Sequence, residues 1–183
     1  MKENAFFIGG AKGVGKSSVL RTLGEYVNLE IVNTGDFFNR ANKMYERSVA
    51  KKLAKQELIN YIINKSPLIA DTHYAGFLNG IYSGMFERGL YPDELEQLAN
   101  SVNLELILVE ADPQLVYERR LKDKTKGVDR DLVLENIKKE IDANRKYFEE
   151  YCQQLNKEGY VVKNVDFDDT VDKLYKIITS LYH

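Results

Sequence analysis

Residues 10–17 read GAKGVGKS and fill every fixed position of the phosphate-binding loop (P-loop) pattern G-x-x-x-x-G-K-[ST]. An apolar run at residues 5–8 precedes the loop, and residues 18–23 contain no helix breaker. The loop is therefore predicted to join a buried strand to the start of a helix. In that setting the glycine-rich backbone and the helix dipole surround an anion. The segment thus predicts a site for the phosphates of a nucleoside triphosphate.

Two side chains of the loop have defined chemical roles in this pattern. Lys16 is expected to reach the β- and γ-phosphates, and the Ser17 hydroxyl is expected to ligate Mg²⁺. Lys12 is either a further phosphate contact or a solvated loop lysine. The residues predicted to bind the nucleotide cofactor are Gly10, Ala11, Lys12, Gly13, Val14, Gly15, Lys16, Ser17 and Ser18.

Length and charge exclude several classes of protein. At 183 residues the chain is close to the size at which one domain buries a sizeable core, so a single domain is expected. Lys and Arg number 26 against 28 Asp and Glu, a formal net charge of −2. This balance gives no reason to expect nucleic acid or an anionic membrane as the main partner.

The single cysteine, Cys152, cannot form an internal disulfide and has no nearby histidine or second cysteine for a metal site. Residues 1–4 lead directly into the first predicted strand without a hydrophobic signal segment. No apolar run approaches the roughly 20 residues of a membrane span. A reduced, cytoplasmic protein is therefore expected, and the sequence indicates neither a protein partner nor a homo-oligomer.

Strand and helix patterns alternate along the chain. After the first strand and the P-loop helix, strands are predicted at residues 30–32, 67–70, 104–109 and 160–162. Helices are predicted at residues 36–64 in one or two pieces, 92–100, 112–121, 131–157 and 170–181. This alternation predicts an α/β fold in which helices cover both faces of a parallel sheet.

Polar residues follow two of these strands, where ligands of open parallel sheets bind. Asp71 is expected to hold Mg²⁺ directly or through water, with a turn or helix-capping aspartate as the alternative. His73 is either a structural loop histidine or a contact for an acceptor substrate. Thr34 either caps the next helix or contacts the acceptor. Arg40, about one turn into that helix, either binds an acceptor phosphate bidentately or faces solvent.

Residues 119–130 are rich in cations and lie between two predicted helices. Such runs are usually solvated, but phosphoryl transfer needs positive charge that closes over the γ-phosphate. With the P-loop present, Arg119, Arg120 and Arg130 are predicted to belong to a short lid. Arg145, in the next helix, is expected to face the same cleft.

In order and spacing, motifs along almost the whole chain resemble those of the archaeal-type adenylate kinase family. The resemblance lies in the P-loop, Asn33-Thr34-Gly35-Asp36, Ile69-Ala70-Asp71-Thr72-His73, Val109-Glu110, Glu118-Arg119-Arg120-Leu121, Arg130-Asp131 and Asn144-Arg145. It implies a P-loop three-layer α/β/α sandwich with a five-stranded sheet ordered 2-3-1-4-5. It also implies one domain over residues 1–183, with an acceptor-side region at about 33–91 and a short basic lid at about 119–130.

The resemblance further implies reversible phosphoryl transfer from MgATP to AMP. Thr34 and Arg40 would be acceptor-side residues. Donor or transition-state contacts would come from Arg119, Arg120, Arg130 and Arg145.

The sequence departs from this family at three places. The P-loop carries Gly10-Ala11-Lys12 where the family more often shows a proline, and Arg40 lies one residue later than the corresponding arginine. Residues 74–91 form a predicted loop rich in glycine and aromatics, which either shapes a nucleobase pocket or anchors the loop by packing.

Other functions stay open from the sequence. They are a kinase for another small molecule or nucleoside monophosphate, and an ATP-binding accessory or regulatory ATPase. A GTPase is disfavoured because Asn156-Lys157-Glu158-Gly159 lacks the final aspartate of the guanine-selecting N-K-x-D pattern.

Overall fold

The computed structural model describes residues 2–77, 85–128 and 130–182. Its strands are β1 (Asn4–Gly9), β2 (Glu30–Asn33), β3 (Leu68–Asp71), β4 (Ala75–Phe77), β5 (Phe86–Arg88), β6 (Asn103–Glu110) and β7 (Tyr160–Lys163). Its helices are α1 (Lys16–Leu23), α2 (Thr34–Met44), α3 (Arg47–Lys65), α4 (Pro92–Ser101), α5 (Pro113–Thr125), α6 (Leu134–Leu155) and α7 (Phe167–Leu181).

The main sheet has five strands in the order β2-β3-β1-β6-β7, and all of its pairs are parallel. Counted along the chain within this sheet, the order is 2-3-1-4-5, so the predicted order is confirmed. The register pairs Asp71 with Ile8 on one side and with Asn33 on the other. The P-loop, the end of β3 and the start of α2 therefore meet at one edge of the sheet.

Apolar cores lie on both faces of the sheet, as a three-layer α/β/α sandwich requires. Within β1, Ala5 and Phe7 belong to one core and Phe6 and Ile8 to the other. This alternation follows from the two-residue side-chain period of a strand. Because both faces are covered, the whole apolar run is buried, which is the pattern from which the strand was predicted.

Several helix boundaries differ by up to four residues from the predicted ones, among them the end of α5 and the start of α7. Helix α5 begins where Asp112 accepts a hydrogen bond from the Gln114 backbone, as its Asp-Pro start indicates, but it continues to Thr125. Helix α7 begins at Phe167, three residues early, because the Asp166 side chain caps it by accepting from the Asp169 backbone N–H at 2.9 Å.

The segment predicted as one loop at residues 74–91 contains a β-hairpin instead. Strands β4 and β5 pair antiparallel, with Ala75 opposite Arg88. The ring centroids of Phe77 and Phe86 lie 5.0 Å apart across this pair. Part of the predicted loop, residues 78–84, lies outside the described residues.

Tyr74 fixes the chain just after β3. Its buried hydroxyl lies 2.8 Å from the Phe7 carbonyl oxygen and 3.1 Å from the Ile107 backbone nitrogen. The Asn144 side-chain oxygen accepts from the Tyr74 backbone N–H at 3.0 Å. A Cβ at Gly9 would lie 2.3 Å from the Tyr74 ring, so this packing requires glycine there. In the ranges that the structure covers, no helix combines the length and apolarity needed to cross a membrane.

Candidate active site

The P-loop backbone takes conformations that only glycine adopts without strain. Gly10 and Gly15 have φ angles of 149° and 95°. A Cβ would lie 2.2 Å from the Val109 carbonyl oxygen at Gly10 and 2.4 Å from the Asn164 side-chain nitrogen at Gly15. The loop is thus pressed against the ends of β6 and β7 and leads directly into α1.

Lys16 is the first residue of α1, and only 5% of its surface is exposed. Its ammonium donates to the Gly10 carbonyl oxygen at 2.9 Å and lies 4.0 Å from Asp71 Oδ1. Burial lowers the pKa of Lys16 to about 8, although the Asp71 carboxylate opposes this shift. The ammonium therefore lies inside the loop, beside the groups that would surround a phosphate.

Ser17 and Asp71 supply two oxygen ligands at the same edge. The Ser17 hydroxyl donates to Asp71 Oδ2 at 2.7 Å. Within the described ranges, no group of three or more His, Cys, Asp or Glu side chains could hold a metal. Mg²⁺ does not need such a group, because it binds through one or two protein oxygens together with phosphate and water. A hydroxyl and a carboxylate in contact fit that ion.

His73 and Thr34 line the same cleft from neighbouring strands. His73 Nδ1 lies 2.5 Å from the Gly10 carbonyl oxygen. Burial, and next the Lys16 charge, lower the pKa of His73 well below its usual value, so the ring is neutral at pH 7. A neutral ring contacts that carbonyl by donating from Nδ1. Thr34 begins α2, whose cap is the neighbouring Asn33 rather than Thr34 itself.

Arg120 lies behind the P-loop, and 1% of its surface is exposed. Its Nε and Nη2 donate to the Lys12 carbonyl oxygen at 3.1 and 2.8 Å, and Nη2 also donates to Glu140 Oε2 at 2.7 Å. Glu140 Oε1 accepts from the Lys12 backbone N–H at 2.8 Å. We call Arg120 and Glu140 the Lys12 clamp, because together they bind both polar groups of that residue's backbone.

The clamp also reaches the segment after α5, since Arg120 Nη1 donates to the Asp131 carbonyl oxygen at 3.2 Å. Arg120 is not among the described residues that line the cleft. These hydrogen bonds give Arg120 a structural role, which competes with its predicted role as a substrate contact.

Arg119 and Arg130 do line the cleft. Arg119 donates to the carbonyl oxygens of Val14 at 2.8 Å and Asn164 at 3.3 Å, and burial lowers its pKa. Arg130 Nε donates to Asp123 at 3.3 Å. The two arginines thus flank the P-loop from α5 and from the segment that follows it.

Arg40 and Arg145 are not among the described residues that line the cleft. Arg40 pairs with Glu57 at 2.8 Å, and 58% of its side chain is exposed. Arg145 pairs with Glu110. The structure therefore does not bring these two predicted residues together with the P-loop.

The cleft has a volume of about 1570 Å³ and two ends. Its P-loop end comprises the P-loop, Asp71, Arg119, Arg130, Asn164 and Phe167. Its hairpin end lies between helices α2 and α3 and the β4–β5 hairpin. The described residues that line the hairpin end include Phe38, Asn39, Asn42, Glu46, Lys51, Lys55, Phe77, Glu87 and Arg88.

Most residues that line the hairpin end, and some that line the P-loop end, were not predicted from the sequence. Asn164 directly follows β7, so the rule that ligands bind beyond strand ends could have found it. Its side chain donates to the Val14 carbonyl oxygen at 2.8 Å. Lys55 belongs to no sequence motif. It is buried, pairs with Glu94 at 2.9 Å, and its ammonium lies 3.8 Å from the Tyr91 ring centroid.

Comparison with known proteins places this geometry in a family. Residues 9–138 match the family described as AAA domain. An adenylate kinase of Thermoplasma acidophilum is 29% identical over 156 residues, covering 79% of this chain and 80% of the relative.

Solved structures with the same fold include a shikimate kinase from Acinetobacter baumannii in complex with shikimate. It is 16% identical, with a TM-score of 0.62, over 99% of this chain and 95% of that one. A gluconokinase from Sinorhizobium meliloti is 11% identical, with a TM-score of 0.57, over 98% and 94% of the two chains. The YorR protein from Bacillus subtilis, in complex with phosphorylated GDP, is 16% identical, with a TM-score of 0.61, over 98% and 99%.

At such identities these structures bear on the fold alone, which they share with this chain. The family match covers well over half of the chain and begins in the P-loop strand. The predicted class, a nucleotide or small-molecule kinase, is confirmed by that match and by the curated relative. The chain therefore belongs to the AAA domain family of P-loop kinases.

Proposed function

We propose that this protein transfers the γ-phosphoryl group of MgATP reversibly to AMP. The observation that carries the proposal is that one continuous cleft joins the P-loop end to the hairpin end. Its volume of about 1570 Å³ exceeds the roughly 300–1,000 Å³ typical of a site for one small molecule. The adenylate kinase of Thermoplasma acidophilum supports the choice of AMP.

The donor occupies the P-loop end in this proposal. Backbone N–H groups of the P-loop surround its phosphates, except that of Lys12, which donates to Glu140. Lys16 binds the β- and γ-phosphates, and Ser17 and Asp71 hold Mg²⁺. Bound MgATP supplies the activated phosphoryl group and a divalent charge that neutralises its oxygens. Arg119 and Arg130 bring further positive charge from the short lid at about residues 119–130.

The acceptor occupies the region at about residues 33–91, which includes the hairpin end, Thr34 and His73. An acceptor phosphate oxygen forms a new bond to the γ-phosphorus, and the bond to the oxygen that bridges the β- and γ-phosphates breaks. The electron pair of that bond stays on the β-phosphate of the departing ADP. No base is needed, because a monophosphate acceptor is already anionic at neutral pH. The cytoplasm stays the predicted location.

A hydroxyl-bearing small molecule is the second candidate acceptor. Arg40, the predicted acceptor-phosphate ligand, pairs with Glu57 away from the cleft. The hairpin end instead presents the carboxylates of Glu46 and Glu87 and the amides of Asn39 and Asn42. Carboxylates and amide oxygens accept hydrogen bonds from hydroxyl groups.

The test is an acceptor panel with purified protein. MgATP is incubated with AMP, CMP, UMP, GMP, shikimate, gluconate or no acceptor, and the products are separated chromatographically beside a Lys16→Ala control. Preferential ADP formation with AMP, lost in the control, is the expected result. Preference for a hydroxyl compound would establish the second candidate. ADP release that ignores every acceptor would contradict both and favour an ATPase.

A further inference from the structure

Lys12 connects the P-loop to the hairpin. Its backbone is held by the Lys12 clamp, through Glu140 at its N–H and Arg120 at its carbonyl oxygen. Its side chain lines the cleft, and its ammonium lies 5.2 Å from the centroid of the Phe77 ring in β4. One residue of the phosphate-binding loop thus directs its charge to the boundary between the two ends of the cleft.

The ammonium of Lys12 lies near two arginines and one carboxylate. Burial lowers the pKa of Lys12; Glu140 opposes the shift, and Arg130 and Arg120 reinforce it. In turn, the Lys12 charge contributes to lowering the pKa of Lys16. Lys12 therefore lies close enough to Lys16 and to Arg130 to be repelled by both, and an anion placed among them would relieve that repulsion.

The contact with Phe77 is one that an anion would displace. A cation over an aromatic ring is held by a modest electrostatic attraction, whereas an ammonium bound to phosphate makes charge-assisted hydrogen bonds. The lysine side chain has four carbons and rotates freely about them, so its charge can move from the ring to a nearby oxygen while the clamp holds its backbone.

Building on the proposed function, we propose that Lys12 is a catalytic cation that contacts the phosphoryl group while it passes between donor and acceptor. Its N–H groups donate to non-bridging oxygens of that group and neutralise the charge shared by the two nucleotides. Lys12 forms and breaks no covalent bond and transfers no proton; the bonds at phosphorus change as described above. Its contribution is larger in the transition state than with donor alone.

Three variants test this role: Lys12→Met, which removes only the charge; Lys12→Arg, which keeps it; and Lys176→Met, a control on α7. Lys176 is 72% exposed and pairs with Asp172 on the surface. For each protein, the affinity for MgADP is measured with and without aluminium fluoride, which mimics the transferring phosphoryl group. Acceptor-dependent turnover is measured in parallel, and thermal unfolding verifies the fold.

Lys12→Met is expected to lower turnover by about 100-fold, the size seen when one charge-stabilising donor is removed. It should leave the MgADP affinity within about threefold of wild type. It should also abolish most of the increase in MgADP affinity that aluminium fluoride gives. Lys12→Arg should restore much of that gain, and Lys176→Met should behave as wild type.

An unchanged gain in Lys12→Met, an equal loss of affinity for MgADP alone, or no gain in the wild-type protein would each overturn the proposal. The fluoride readout needs no acceptor turnover, so it tests the role of Lys12 separately from the proposed transfer to AMP. If no acceptor is phosphorylated but Lys12→Met still loses the gain, the proposed function fails and the role of Lys12 stands.

Discussion

The protonation state of the Lys16 side chain depends on its burial and on the charges beside it. With a pKa of about 8, it is half protonated at pH 8. A bound triphosphate raises that pKa, because negative charge favours the protonated form. MgATP binding at pH 8 should therefore take up about half a proton at this residue.

Proton uptake is measured by calorimetric titration in two buffers of different ionisation enthalpy. Lys16→Arg is the matched control, since its guanidinium is always charged. Equal apparent enthalpies in both buffers for the wild-type protein, or the same uptake in Lys16→Arg, would show that Lys16 does not respond to the nucleotide.

His73 predicts how stability depends on pH. Its pKa is lowered well below 6.5 by burial in the folded state, so below pH 6.5 the unfolded chain binds a proton that the folded chain does not. The free energy of unfolding should fall as pH falls below 6.5, by up to about 1.4 kcal/mol per pH unit from this group.

Urea denaturation between pH 7 and 5 measures that slope. His73→Asn keeps an N–H donor for the Gly10 carbonyl oxygen but does not titrate. Its slope should be shallower than that of wild type by about this amount. Parallel slopes would mean that His73 is protonated equally in both states.

Among the secondary-structure elements, the Lys12 clamp joins α5 and α6 to the P-loop. Glu140→Ala removes one partner of a buried ion pair and leaves Arg120 without its carboxylate. The free energy of unfolding should drop by about 3–5 kcal/mol. Glu135→Ala, in the same helix, breaks an exposed pair with Lys139 and should cost about 1 kcal/mol or less. Urea denaturation of both variants gives the comparison, and equal losses would show that the clamp adds no specific stability.

The elements also show where sequence reasoning succeeds. The P-loop and β1 were predictable because their signals are local: fixed glycines, a lysine and an unbroken apolar run. Asp71 was predictable from its place at a strand end. The hairpin was not, because strands of three residues among glycines and aromatics have no period to detect.

The direction in which each side chain points was the second feature that could not be predicted from the sequence. Arg119 and Arg120 are adjacent on one helix, so they point about 100° apart. The sequence cannot tell which of them reaches the cleft and which lies behind the P-loop. That choice depends on Glu140, which is 20 residues away and was not identified as a partner.

At the scale of the whole molecule, the proposed function places two ligands in one domain. Thermal unfolding should show one cooperative transition, as is usual for a domain of this size. A non-hydrolysable MgATP analogue at 100 times its Kd should stabilise the fold by about 2.7 kcal/mol, and AMP should add a further shift. Lys16→Ala should lose the first shift while keeping its fold. Two separate transitions, or AMP that shifts nothing beside the analogue, would contradict one domain with two sites.

In the proposed function, the cleft passes a phosphoryl group from nucleotide to acceptor rather than to water. The most direct measurement follows the label of ATP carrying ³²P in its γ-phosphate, incubated with Mg²⁺, AMP and the wild-type protein. The label should appear in ADP, because AMP receives it as a β-phosphate, and Lys16→Ala should abolish the transfer. Label found only in inorganic phosphate, at a rate that ignores AMP, would contradict the claim.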